Sequence, residues 1–362
     1  MTQALRHRHR GIALALATLV LAACAPRPAV KPPAPTPTAE VPAPLYANYS
    51  LHPDYPAFRE RMVTKHGFDR ATLDALFVAV KRDQRVLDAM GRPAEAKPWW
   101  QYRKIFVTQE RIDLGVKFWN DNAELIAGAA NAYGVDPEMV VAIIGVETKY
   151  GAIMGKFPVI SSLATLAFEW PSRATFFRSE LEQFLIMCRE MGLDPLAPVG
   201  SYAGAMGAGQ FMPSSYRAYA KDGSGEGKVD LWTDWADITA SVANYFKVHG
   251  WSRSALVAVP AVLREGAVEP ARTSSLTKVT AGVLRPAFEF TAGVADTSEA
   301  MFVVLEQEDG HKDYWVGTNN FWVITRYNRS PLYAMAATEL AREILAARSA
   351  AATAVTDAAP KE

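Results

Sequence analysis

Apolar residues recur at three- and four-residue spacing along most of this chain. Pro56–His66, Arg70–Val80, Gln109–Tyr133, Arg173–Met191 and Ile238–His249 all keep that period, so their apolar positions gather on one helix face. A last long helix is expected over Pro331–Arg348. Strand signals come late. Met301–Leu305 and Tyr314–Val316 flank Asp309-Gly310, a hairpin turn signal, and Phe321–Thr325 is a third candidate strand. The pattern predicts a mainly α fold, α+β by class, with a small β element.

One segment departs from amphipathic spacing. Met139–Val146 contains no polar side chain, and Glu147 closes it. Upstream, Asp136-Pro137 reads as a helix start, with Asp at the N-cap and Pro at the first helical position. Glu147 is thus expected about three turns along a buried helix, with Thr148-Lys149-Tyr150-Gly151 running out into a loop. A carboxyl at the end of an oily segment is poorly solvated. Desolvation disfavours its charged form and raises its pKa. An acid that keeps its proton near neutral pH suits general acid chemistry.

The first residues bear on the compartment. Arg6-His7-Arg8-His9-Arg10 is a positive n-region, and Gly11–Leu21 is an apolar core too short to span a bilayer comfortably. Leu21-Ala22-Ala23-Cys24 resembles a bacterial lipobox. That resemblance implies a signal peptide over 1–23 and a lipidated Cys24 as the mature N-terminus. Ala25, in place of Asp, implies outer-membrane anchoring on the periplasmic side of a Gram-negative cell. The other cysteine, Cys188, lies in an apolar helical stretch and reads as a buried free thiol.

A Pro-rich tether is expected over 24–48, since Ala25–Pro44 holds eight prolines and almost no bulky apolar residue. Residues 49–350 have globular composition, and 351–362 are expected to be a disordered tail. The formal net charge is +0, from 38 basic and 38 acidic residues, which argues against a nucleic-acid footprint.

Three segments together resemble the lytic murein transglycosylases of the membrane-bound B type. They are Val146-Glu147-Thr148-Lys149-Tyr150-Gly151, the glycine-rich run from Gly200 to Ser215, and Thr325-Arg326-Tyr327-Asn328-Arg329-Ser330 with Tyr333. The resemblance spans roughly Leu51–Leu345. It implies a lysozyme-like helical core with an additional helical lobe, acting on peptidoglycan glycan strands. Glu147 would protonate the leaving glycosidic oxygen, then act as base on the muramyl C6 hydroxyl, which closes a 1,6-anhydro ring. No second acid lies in the three motifs, and no cofactor is implied for catalysis.

The same resemblance assigns further residues. Ser201 would hydrogen-bond Glu147, and Asn328 would lie across the cleft near the reacting sugar. Gln210 would bind a sugar from the glycine-rich wall. Tyr102, Tyr245, Tyr327 and Tyr333 would line the groove, offering flat faces to sugar rings and hydroxyls to sugar oxygens. Arg173 would meet the peptide stem or lactyl carboxylate. Ser172 departs from the second arginine often found beside it.

Asp222–Asp230 follows EF-hand spacing in part, with oxygen side chains at positions 1, 3, 5 and 9 and Gly227 at position 6. Thr233 stands where a bidentate Glu is expected, and Asp237 is the candidate to close the loop. Asp222, Ser224, Glu226 and Asp237 are therefore candidate ligands for one structural calcium ion. Two alternatives stay open: a hydrolytic muramidase on the same fold, and a non-catalytic peptidoglycan-binding lipoprotein.

Overall fold

The computed structural model describes residues 46–91, 97–270, 276–291 and 293–358, with side chains to 353. Cys24, the signal peptide and most of the tether lie outside the described residues.

Helices dominate. In chain order they are α1 (Tyr55–His66), α2 (Arg70–Ala79), α3 (Gln84–Met90), α4 (Trp99–Phe106), α5 (Gln109–Asp121), α6 (Ala123–Tyr133) and α7 (Pro137–Thr148). Then follow α8 (Val159–Glu169), α9 (Ala174–Met191), α10 (Pro213–Tyr219), α11 (Trp235–Val248), α12 (Ala281–Leu284), α13 (Asn319–Tyr327) and α14 (Pro331–Ala358). Strands β1 (Phe157–Pro158) and β2 (Val199–Gly200) pair with each other. β3 (Ala258–Leu263), β4 (Val279–Thr280), β5 (Phe288–Phe290), β6 (Glu299–Glu306) and β7 (Lys312–Gly317) form one antiparallel sheet in the order β4-β6-β7-β3-β5.

Helix α7 is central because its middle carries no side chain that wants water. Every residue from Met139 to Val146 is buried. A helix apolar on all sides must be enclosed, and α5, α6, α11 and α14 pack around it. The sheet has a small core of its own, with Phe288, Phe290 and Val316 at its centre. The hairpin signal at Asp309-Gly310 joins β6 to β7, and Gly310 takes a left-handed φ of 85°.

Four expectations change. Phe321–Thr325 is not a strand but the middle of α13: Asn320, Phe321, Val323, Ile324 and Thr325 are all buried, and a short apolar run carries no period that separates strand from helix. Gln109–Tyr133 is two helices, broken at Asn122, whose φ of −120° leaves the α region. Asp136 precedes α7 but makes no side-chain cap. Its carboxylate instead accepts from Trp251 Nε1 at 2.9 Å and Ser254 N at 3.0 Å, tying the start of α7 to the chain after α11. The segment after 350 continues α14 to Ala358, as an alanine-rich run favours. Among the described residues no helix is long and apolar enough to cross a membrane.

Candidate active site

Glu147 stands in the last turn of α7, and the chain is turned sharply just beyond it. Lys149 and Tyr150 both take left-handed φ values, 51° and 59°, an uncommon state for residues with a Cβ. The Tyr150 side chain shows what holds that turn. Its hydroxyl donates to Arg111 O at 2.9 Å and fills a notch between two helices. A Cβ on Gly145 or Gly115 would come within 2.6 or 2.5 Å of that oxygen. Thr148 Oγ1 then donates to Ala208 O at 2.8 Å, joining the end of α7 to the glycine-rich segment.

That segment is a tight wall. Met206 and Phe211 exchange both backbone hydrogen bonds at 2.9 Å, and Ala208 N donates to Leu231 O at 2.8 Å. Gly207 has φ 69°, and a Cβ there would lie 2.2 Å from Leu231 O, so no other residue fits. From the far side, Tyr327 at the end of α13 donates to Gly209 O at 2.6 Å. Tyr245 on α11 donates to Arg326 O at 2.6 Å. The result is an open cleft of about 820 Å³ whose lining includes Glu147, Arg173, Ser201, Gln210, Tyr245, Tyr327 and Asn328.

The Glu147 side chain is half-buried, and Tyr333 Oη donates to its Oε1 at 2.5 Å. Ser330 prepares that contact. It is buried before the first turn of α14, and its Oγ accepts from Tyr333 N at 3.3 Å. Desolvation pushes the Glu147 pKa up to about 7, and the Tyr333 hydrogen bond opposes the rise. Burial beside Glu147 holds the Tyr333 hydroxyl far above its usual range, so at neutral pH it keeps the proton it donates to the acid.

The expected residues fall into two groups. Arg173, Ser201, Gln210, Tyr245, Tyr327 and Asn328 do share the cleft with Glu147. Asn328 caps the end of α13 in extended geometry, and its side-chain amide has no protein partner among the described residues. Gln210 is oriented by two donations from Nε2, to Met154 O at 3.1 Å and Gly207 O at 2.9 Å, which leave its carbonyl to face a ligand. Arg173 lies over Phe176 and Phe177, 4.5 and 5.0 Å from their ring centroids.

Three expectations need correction. Ser201 does not bond Glu147: its Oγ accepts from Ala205 N at 3.0 Å, and the partner of the acid is Tyr333. Tyr102 is 1% exposed on α4, within the core, and cannot present a face to a sugar. The hydroxyls of Tyr245 and Tyr327 are spent on backbone carbonyls, so these residues offer rings and not donors.

Glu180 was not foreseen. It lines the cleft, is 4% exposed, and accepts from Ser214 N at 2.9 Å and Ser214 Oγ at 2.6 Å. It thereby caps α10 from a neighbouring helix and fixes the Met212-Pro213-Ser214 part of the wall. Its signal in the sequence was an acid on the apolar face of α9, between Phe177 and Phe184. Both its oxygens are occupied, so it is a brace and not a second free carboxylate.

The loop from Asp222 to Asp237 has only hard oxygen donors. Asp222 Oδ1 and Asp237 Oδ1 converge on Ser224 Oγ, at 3.3 and 3.4 Å. Asp237 also accepts from Gly223 N and Asp230 N, both at 2.7 Å, and Asp222 accepts from Gly225 N at 2.6 Å. Glu226 does not join them. Among the described residues no group of three or more His, Cys, Asp or Glu side chains is arranged to hold a metal. Asp222, Ser224 and Asp237 are the candidate ligands that the fold gathers at one place.

Comparisons with known proteins identify the family. A family model for a transglycosylase SLT domain matches residues 50–342. Membrane-bound lytic murein transglycosylase B of Escherichia coli K12 is 42% identical over 313 residues, 83% of this chain and 85% of that protein. Soluble lytic transglycosylase SltB1 of Pseudomonas aeruginosa superposes with a TM-score of 0.77 at 45% identity, covering 82% of this chain and 100% of its own. Escherichia coli Slt35 in complex with calcium gives 0.75 at 42% identity, covering 83% and 95%. SltB3 of Pseudomonas aeruginosa in complex with NAG-NAM-pentapeptide gives 0.68 at 30% identity, covering 80% and 78%. With the family model spanning most of its length and a relative 42% identical over 83% of it, this chain belongs to the lytic transglycosylases, the enzymes of peptidoglycan turnover.

Proposed function

We propose that this protein cleaves the β-1,4 bond between N-acetylmuramic acid and N-acetylglucosamine in peptidoglycan and closes a 1,6-anhydromuramyl ring, with Glu147 as both acid and base. The observation that carries the reading is the Glu147 carboxyl. It reaches the cleft, is poorly solvated, and has a pKa of about 7. The pentapeptide-bearing disaccharide bound by SltB3 supports the same class of substrate.

The chemistry balances without water. Protonated Glu147 gives its proton to the glycosidic oxygen as the bond to C1 breaks, leaving positive charge at the muramyl C1. The free Asn328 amide holds the acetamido group that steadies this centre. The Glu147 carboxylate then takes the proton of the C6 hydroxyl, whose oxygen bonds C1. The acid ends protonated and ready for another turn. Tyr333 keeps Oε1 hydrogen-bonded throughout, so Oε2 is the oxygen presented to the sugar.

A pH–rate profile tests this. The acid must enter protonated, and its proton is held up to about pH 7. The ratio kcat/KM should be flat below that pH and fall about tenfold per unit above it. A fall that begins near pH 4.5, the ordinary carboxyl value, would contradict the reading.

A structural calcium ion belongs to the same proposal. Slt35 was solved with calcium, and here Asp222, Ser224 and Asp237 supply the oxygen nucleus. The ion would brace the loop and take no part in the chemistry. Calcium at roughly millimolar levels should raise the melting temperature relative to chelator by mass action. No difference between the two would remove the ion.

The protein is further proposed to be held at the outer membrane through lipidated Cys24. The charged n-region, the short apolar core and the small residues before Cys24 support this, as does a relative named as membrane-bound. Cys24→Ala should release the protein from the membrane fraction. Retention of that variant at high salt would exclude the lipid anchor.

A further inference from the structure

The two left-handed residues that follow the catalytic helix are both gripped by the first turn of α5. Lys149 Nζ meets Glu110 Oε1 at 2.6 Å, and Tyr150 Oη donates to Arg111 O at 2.9 Å. The Tyr150 ring also stacks on Phe118 of α5, with 5.4 Å between centroids. Arg111 returns the contact. Its Nη1 donates to Gly145 O, in the last turn of α7, and its Nη2 donates to Ile105 O at 3.4 Å, in the last turn of α4. One residue thus holds the end of α7 with its side chain and the turn beyond it with its carbonyl.

The two grips are unequal. Glu110 is 71% exposed, and a surface ion pair of this kind contributes little. Arg111 is half-buried, and burial opposes its charge and lowers its pKa. Among the described residues it makes no ion pair, because the nearby Glu110 carboxylate is taken by Lys149. Its compensation comes from the backbone. Each helix C-terminus carries about half a negative charge, so two converging helix ends match one guanidinium.

This clasp bears on the acid. Left-handed φ is costly for residues with a Cβ and persists only where neighbours over-determine it. Without the hold on Gly145 and Tyr150, the last turn of α7 is free to unwind or to continue. Each helical residue lost or gained turns a side chain by about 100°. Tyr333 fixes only one oxygen of Glu147, so the aim of the other depends on the backbone it leaves from. Arg111 is not part of the cleft lining and does not reach the sugar itself. Resting on the reading of Glu147 as the acid, we propose that Arg111 is its positioning residue, acting through Gly145 and Tyr150 to hold the catalytic turn.

The test uses the full chain on soluble glycan strands, with cleavage scored as all fragments released, whatever their end groups. Arg111→Met keeps the bulk of the side chain and removes its donors. Its kcat should fall about 10²-fold, the order lost when a reacting group is misplaced by about 1 Å, with KM within about twofold of wild type. Arg111→Lys can still donate to Gly145 O and should recover most of that loss. Tyr150→Phe removes a single oxygen and should lower kcat about tenfold. The double variant of Arg111→Met with Tyr150→Phe should lose no more than Arg111→Met alone, because both act through one turn. Lys117→Gln, on the exposed face of α5, should match wild type. Wild-type kcat per folded molecule, with only a lowered urea midpoint, would make Arg111 an ordinary structural residue and overturn the proposal. A raised KM at unchanged kcat, or Arg111→Lys no better than Arg111→Met, would do the same. If Arg111→Met does not fold, Tyr150→Phe decides on the same readout. Glu147→Gln, run beside them, separates the two claims. Its loss of cleavage alongside wild-type kcat in the Arg111 and Tyr150 variants sinks the positioning role alone. Its retained cleavage sinks the acid reading, and the positioning role with it.

Discussion

Glu147→Gln should fold, bind sacculi and release almost no anhydromuropeptide. The amide keeps the size of the side chain and can still accept from Tyr333, but it has no proton to give. A placed acid contributes about 10²–10⁴-fold, and here one group serves both proton transfers, so the upper end of that range is expected. The same substitution should stabilise the protein at alkaline pH. The folded pKa of about 7 lies above the ordinary 4.5, so burial opposes ionisation. Stability from the neutral acid is full below pH 4.5 and is lost as pH rises through 7. At pH 8 the charged wild-type residue should cost about 2–3 kcal/mol that glutamine does not. A higher melting temperature for the variant at pH 8, vanishing near pH 4, together with lost activity, is the expected signature. Turnover near the wild-type rate would remove Glu147 from the chemistry.

Asp237→Ala should be the most damaging change outside the catalytic centre. Asp237 is 1% exposed, and its two oxygens hold Gly223 N, Ser224 N and Asp230 N. Removing it leaves these donors without their protein acceptor and empties a buried side-chain position, a loss of about 1–3 kcal/mol. The damage should reach activity as well. The Asp230 end of this loop leads directly to Leu231, whose carbonyl accepts from Ala208 N at 2.8 Å in the glycine-rich wall. Urea unfolding should show a lower midpoint with an unchanged slope, and kcat should fall with it. Asp222→Ala, at an exposed position, should do much less. A midpoint within error of wild type for Asp237→Ala would mean that the loop is not braced from within.

How much of this was legible in the chain depends on the range of the interaction. Helix α7 and the environment of Glu147 were readable because the signals are local: Pro137 marks the start, and an unbroken apolar run forces burial. The hairpin at Asp309-Gly310 was readable for the same reason. Phe321–Thr325 was misread because tertiary burial, not periodicity, decides a short apolar run. The partner of the acid was misassigned because Tyr333 lies 186 residues from Glu147, and nothing local marks that hydroxyl as the one aimed at it. Tyr102 is placed in the groove by the family resemblance, whereas its depth is set by how α4 packs on α14. Glu180 shares this limit. Whether a charge is capped, stacked or free is a property of neighbours that the chain brings together only on folding.

The central claim is that one carboxyl performs both proton transfers and that the substrate's own C6 hydroxyl, not water, attacks C1. Mass spectrometry of the products released from purified sacculi tests it most directly. Muropeptides ending in 1,6-anhydromuramic acid, lighter by one water than their reducing-end counterparts and absent with Glu147→Gln, are the predicted result. Products with free reducing ends from the wild-type protein would contradict it, leaving Glu147 as an acid but making the enzyme a hydrolase.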